Sequence, residues 1–211
     1  MFARFQTITS LPPTDDPDVS RHELTDILRR HAGYSGAYFM VSGPTAMRAL
    51  VSLWATEEDA RAASDRTRAA TGDAPRPVTI AEDTVYEVVD DEPGEAPEAE
   101  PTAADVASFD GPFSDPTRAA IDRVHRGKII PTARAVPGTV RLMVLWDRLS
   151  RSMRALLLTT GPTALDAARD AVEATDPGAG EDPALVSPPD RMDRWDVAGA
   201  DVPVRGASGR P

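Results

Sequence analysis

The residues of this chain that could carry chemistry are few: three histidines, three tryptophans, three tyrosines and a single lysine, Lys128, with no cysteine and no asparagine. Without cysteine there is no thiolate metal site, no disulfide framework and no sulfur nucleophile. His22 and His31 lie nine residues apart. On one helix that spacing is about 900°, half a turn out of phase, so the two imidazoles face opposite sides and cannot chelate together. No metal site is expected. His31 and His125 each follow an isoleucine by four residues (Ile27, Ile121) and each is expected to end a helix. There the dipole favours a protonated imidazole; the functional alternative is a proton acceptor at a pocket mouth.

A second grouping surrounds Trp54. In a strand running from Met47 to Trp54, the side chains of Arg48, Leu50, Ser52 and Trp54 share one face. Tyr34 and Tyr38 come from the segment just before it. Aromatic rings there would hold a flat substrate by stacking, and Arg48 would stabilise an enolate or phenolate. The candidate catalytic residues are therefore Trp54, Tyr34, Arg48 and His31, with Tyr38 and Leu50 lining the ligand. The alternative for Trp54 is core packing at a strand end. There is no phosphate-binding loop, no dinucleotide glycine fingerprint and no nucleophile elbow, so no cofactor is expected.

These residues need elements to position them. Met47-Arg48-Ala49-Leu50 recurs as Met153-Arg154-Ala155-Leu156, and neighbouring identities keep the same order, which points to duplication. The first half reads as strand 2–9, a helix from about Ser20 to His31 with Leu24, Ile27, Leu28 and His31 on one stripe, and strand 37–41. Strand 47–54 follows, then a helix capped by Thr56, and a last strand near 85–89. The second half repeats it: strand 106–109, a helix with Asp115 as cap and Pro116 at its first position, strands 140–146 and 153–159, helix 164–174 and strand 192–197. The order β-α-β-β-α-β is the ferredoxin-like unit. The expected fold class is thus α+β: two tandem ferredoxin-like halves forming an intramolecular, pseudo-dimeric α+β barrel. The expected boundaries are 1–90 for the first half, 91–102 for an acidic, proline-rich, solvated linker, 103–198 for the second half and 199–211 for a flexible tail.

Gly33-Tyr34-Ser35-Gly36-Ala37-Tyr38, a hairpin, and then Leu53-Trp54-Ala55-Thr56-Glu57-Glu58-Asp59-Ala60 resemble the dimeric α+β barrel superfamily, in its antibiotic-biosynthesis-monooxygenase-like branch. The resemblance covers roughly 33–60. It implies a small-molecule pocket and, among the branch's activities, cofactor-independent oxygenation of aromatic compounds. The branch's haem-degrading members use a strand-1 asparagine and a second-helix histidine; this chain has no asparagine, and 57–70 holds no histidine. Two rival readings stand beside the oxygenase: a non-catalytic ligand-binding or interaction module, and a haem-binding module with His31 or His125 as axial ligand.

Composition bounds the partners. A net charge of −11 repels phosphate backbones and anionic lipid, so neither nucleic acid nor membrane is expected. The N-terminal residues show no basic, apolar leader pattern, and the absence of cysteine agrees with a cytoplasmic location. The expected partner is a small aromatic molecule, bound by a monomer or homodimer.

Overall fold

The computed structural model describes residues 1–10, 17–43, 47–72, 79–175 and 188–202. Its class is α+β, with eight strands among the described residues: β1 Phe2–Ser10, β2 Tyr34–Val41, β3 Arg48–Trp54, β4 Thr79–Pro93, β5 Ala103–Phe109, β6 Thr139–Asp147, β7 Ser152–Thr159 and β8 Arg191–Asp201. The helices are α1 Pro17–Arg29, α2 Glu57–Gly72, α3 Asp115–Val124, α4 Ile130–Arg134 and α5 Pro162–Glu173, with a π-helical turn, His125–Ile129, joining α3 to α4. No described helix is long and apolar enough to cross a membrane. The chain divides into two compact units, and the divisions fall inside two long strands: β4 at Val88/Val89 and β8 at Trp195/Asp196.

Within unit 1 the strand order is β4-β1-β3-β2-β8. One face of this sheet carries Ala37, Leu50 and Trp54, which pack on Leu28 of α1 and on Ala60 and Ala63 of α2. Thr56 caps α2 as expected, its hydroxyl accepting from the Asp59 backbone N–H at 3.1 Å. The α1 stripe differs from expectation: Ile27 is 51% exposed, and Leu24, Thr25 and Leu28 turn inward. Within unit 2 the order is β8-β5-β7-β6-β4. Ser114, not Asp115, caps α3, accepting from the Thr117 N–H at 3.2 Å and leaving Pro116 in the first turn.

The hairpins of the two units carry the same irregularity. In unit 1 Tyr34↔Trp54 is followed by Gly36↔Leu53; in unit 2 Thr139↔Thr159 is followed by Arg141↔Leu158. Each irregularity follows a positive-φ glycine, Gly33 (φ 71°) or Gly138 (φ 87°), which makes the left-handed turn from helix to strand. Aligned on this feature, Trp54 corresponds to Thr159, Tyr34 to Thr139 and Leu50 to Ala155. The repeated Met-Arg-Ala-Leu therefore sits one residue out of structural register. Leu50 faces the helices of its unit while Leu156 points to the opposite sheet face, since a one-residue slip inverts every side chain. His31 and His125 do not correspond either: His31 follows the end of α1, and His125 lies within the continuous helical run from Asp115 to Arg134.

The segment expected to be a solvated linker is hydrogen-bonded along its length. The N–H groups of Gly94 and Ala96 donate to Val140 and Thr139 carbonyls at 2.9 and 2.8 Å, and that of Thr102 to Thr159 at 2.9 Å. At its start, Asp91 and Glu92 pair with Arg141 and Arg134 at 2.6 and 2.8 Å, and Asp90, just before it, pairs with Arg126 at 2.8 Å. Two of the acids that made this stretch look solvated, Asp91 and Glu92, are thus ion-paired to β6 and α4. Of the expected tail, Gly199–Asp201 belongs to β8, and 203–211 lie outside the described residues. A Cβ at Gly94 would lie 2.1 Å from the Thr139 carbonyl oxygen. Gly94→Val should thus lower stability by more than about 2 kcal/mol in chemical denaturation, because backbone must move to admit it. A loss below about 0.5 kcal/mol, the range of ordinary surface changes, would show that the segment is as loose as its composition implies.

Candidate functional site

In unit 1 the structure brings three of the four catalytic candidates into contact. Trp54 is fully buried, and its indole N–H donates to the Ser52 hydroxyl at 2.9 Å. Tyr34 and His31 meet it edge-on, with ring centroids 5.6 and 6.2 Å away. Arg48 stands at the other end of β3, six residues from Trp54 and so roughly 20 Å along the strand, too far to share one ligand with it. Tyr38 pairs with Val51, on the face opposite to Leu50 and Trp54. The six candidates therefore do not surround one ligand.

Tyr34 has a polar partner of its own. Its hydroxyl donates to Asp201 Oδ2 at 2.9 Å, and Arg29 pairs with the other carboxylate oxygen at 2.6 Å. Burial, then the bond to Asp201, raises the phenol's pKa above its ordinary value. The Arg29 guanidinium holds the Asp201 carboxyl below its usual range against a partial desolvation, with the Tyr34 bond helping. This cluster fastens the end of β8 to α1 and β2.

Unit 2 contains an open cavity of about 480 Å³ between the helix-facing side of its sheet and the helices above it. The sheet supplies Ala107 and Phe109 from β5, Leu142 from β6, and Ala155 and Leu157 from β7. Opposite them stand His125 and Ile129 of the π-turn, Ala133 of α4, and Leu165, Ala168 and Val172 of α5. Most of the wall is apolar; the ionisable side chains on it are His125, Lys128, Asp105, Arg169 and Glu173.

The π-turn has an identifiable cause. Pro131 has no N–H to donate, and in a regular helix its ring would press on the carbonyl of residue 127. The widened turn, in which the Ile130 N–H donates to the His125 carbonyl, accommodates the proline. It also puts His125 and Lys128 on the cavity wall. The His125 ring meets Phe109 edge-on at 5.8 Å. Desolvation pushes its pKa below 6.5, opposed by the weaker pull of Asp122 and Asp90, so the imidazole is neutral at pH 7.

Asp105, on the cavity wall, is a buried carboxylate. It accepts from Arg169 of α5 at 2.9 Å and from Arg194 of β8 at 3.2 Å, and Arg194 continues to Asp166 at 2.8 Å. In unit 1 the corresponding strand position is Arg4, and the charges are reversed. Arg4 pairs with Asp83 at 2.7 Å, and the Ser64 hydroxyl donates to the same carboxylate at 2.5 Å.

Sequence reasoning placed its site in unit 1 because Trp54, Tyr34 and Tyr38 lie in the segment, 33–60, that carries the family resemblance. The cavity-lining alanines of unit 2 give no signal of that kind. One signal was present, His125 itself, which the structure places in the π-turn.

No family model and no curated protein matches the chain. Solved structures do match along almost its whole length. An anthrone oxidase-like protein aligns with a TM-score of 0.57 at 15% identity over 99% of this chain and 96% of its own. A candidate monooxygenase of Fusobacterium nucleatum subsp. nucleatum aligns at 0.66 and 10% identity over 96% and 94%. A haem-degrading enzyme of Listeria monocytogenes aligns at 0.52 and 6% over 93% and 99%. At these identities the likeness is one of fold, and it is the fold that residues 33–60 resemble.

The two perturbed acids give separable pH windows. His125 has a folded pKa below that of the unfolded chain, so below pH 6.5 the unfolded state takes up a proton that the native state resists. Stability should fall as pH drops from 6.5 and level off below the folded pKa, and His125→Phe should remove that slope. Asp201 acts lower: its contribution is present above 3.8 and is lost as pH falls through its depressed folded pKa. Urea midpoints measured against pH check both; an unchanged slope below 6.5 in His125→Phe would contradict the burial argument.

Proposed function

We propose that unit 2 binds a flat, largely apolar small molecule in its cavity and that His125 accepts a proton from it, the first step of a cofactor-independent oxygenation. The observation that carries this reading is a buried imidazole on the wall of an apolar cavity of about 480 Å³, where burial lowers its pKa. A cavity of this size with few polar groups is the usual form of a small-molecule site. A depressed pKa leaves His125 ready as a base at neutral pH. Removing a proton from an activated C–H or phenol leaves a carbanion or phenolate, and Lys128 supplies positive charge on the same wall to stabilise it. Such an anion reduces O2: a CH2 flanked by aromatic rings becomes a carbonyl, and the second oxygen atom leaves as water. The anthrone oxidase-like and monooxygenase neighbours support this choice of reaction by fold analogy alone.

A second reading follows from the same imidazole. Neutral histidine is the form that ligates iron, so His125 would hold the iron of a haem, with Lys128 on the same wall to meet its carboxylates; bound haem would supply redox chemistry. His31, packed edge-on against Trp54, is not on this cavity wall.

Purified protein mixed with anthrone should consume O2 faster than the buffer blank. His125→Gln should lower that rate by about 100-fold or more while leaving the dissociation constant within about threefold, since a base contributes to the transition state and little to binding. Equal rates for wild type and His125→Gln would remove His125 from the mechanism. A Soret band that forms on haemin addition and is lost in His125→Gln would favour the haem reading instead.

A further inference from the structure

We infer that three alanines, Ala107, Ala133 and Ala155, set the upper size limit of the molecule the unit 2 cavity admits. The inference rests on the cavity being a ligand site, as proposed above.

All three alanines line the cavity. Ala107 and Ala155 are direct cross-strand partners on β5 and β7. Ala133 is the penultimate residue of α4, which ends at Arg134, five residues before β6 begins. The same positions can be identified in unit 1 from its own pairing. Gln6 and Leu50 are the corresponding cross-strand partners on β1 and β3. Leu28 is the penultimate residue of α1, which ends at Arg29, five residues before β2 begins. Gln6, Leu28 and Leu50 are all buried, and the two leucines belong to one packed cluster with Trp54.

Two units with the same element order and the same hairpin irregularity thus treat one layer differently. Unit 1 has long side chains at three positions where unit 2 has only methyl groups, and unit 2 has Leu142 and Leu157 where unit 1 has Ala37 and Ser52, so each unit fills the layer at different places and the open space of unit 2 lies at its alanines. The backbone geometry does not demand alanine there, because its counterpart holds leucine or glutamine without an altered register. Empty apolar volume is destabilising in proportion to its size, so an unfilled layer is a cost that packing alone would remove. Occupation by a ligand accounts for its retention.

The volume sets the class of ligand. About 480 Å³ is the share of roughly sixteen waters at ~30 Å³ each. A one-ring phenol, with about seven non-hydrogen atoms, would leave more than half of that space empty; two fused rings, with about eleven, still fall short of it, and three come nearer to filling it.

The test uses the full chain and three probes of increasing size, phenol, 1-naphthol and anthrone, titrated calorimetrically into wild type, Ala155→Leu and Ala133→Leu. Wild type should bind more tightly as rings are added. Each leucine variant should weaken anthrone by about tenfold or more, leave phenol within about threefold, and raise the thermal midpoint by filling space. Should leucine prove too large to fold, Ala155→Val carries the same test with a smaller step. Anthrone affinity unchanged in every variant, or all three probes weakened alike, overturns the size assignment while leaving the ligand site standing. Failure of wild type to bind any probe removes the ligand site, and the size assignment with it.

Discussion

A carboxylate buried on a sheet face must be paired, and the way Asp105 is paired organises unit 2. An isolated buried charge costs several kcal/mol, whereas Arg169 and Arg194 together neutralise this one and satisfy its oxygens. The pairing ties α5 and β8 to β5 by charge. A helix held over a sheet in this way does not depend on filling the whole layer with apolar side chains. Unit 1 uses the reversed pair, Arg4 with Asp83, and also fills its layer with Leu28, Leu50 and Trp54. In unit 2 the buried ion cluster stands on the wall of an open cavity. Its value lies in fixing geometry, since buried ion pairs seldom add net stability over apolar replacements.

The π-turn supplies the chemistry for that space. Pro131 forces a wider turn, and the wider turn brings His125 and Lys128 to the wall. Three acids at the end of β4 then grip this region: Asp90 on Arg126 in the turn itself, Glu92 on Arg134 at the end of α4, and Asp91 on Arg141 in β6. These contacts are partly exposed, and each alone is weak. Acting on neighbouring turns, they hold in place a helical distortion that would otherwise be a point of weakness. The burial of His125 that keeps it neutral follows from this packing.

Much of the fold is legible in the residues, because the signals that specify it are local. Alternation gave the strands, Thr56 gave the start of α2, and Gly33 marked the turn before β2. Helix ends and strand limits moved by a few residues, as when Ser114 rather than Asp115 proved to be the α3 cap. Register is a different matter. The repeated tetrapeptide suggested one alignment of the halves, and the hairpin pairing shows another one residue away, because identity between short segments carries no information about which face a side chain takes. The site was harder still. Trp54, Tyr34 and Arg48 share a strand or its neighbour, but a sequence does not show which aromatic residues are packed shut. Alanines that leave space are silent in composition, and Pro131 reads as a helix stop rather than as the cause of a π-turn. The start of the acidic segment 91–102 looked solvated because Arg141 and Arg134, the partners of Asp91 and Glu92, lie far along the chain.

The central claim is that the ligand site is the helix–sheet layer of unit 2 and not the aromatic cluster of unit 1. Methyl NMR on protein labelled at alanine and titrated with 1-naphthol addresses it directly. The account predicts shifts at Ala107, Ala133, Ala155 and Ala168, which line the cavity, with Ala37, Ala60 and Ala63 around Trp54 unmoved. Shifts confined to Ala37, Ala60 and Ala63 would contradict it.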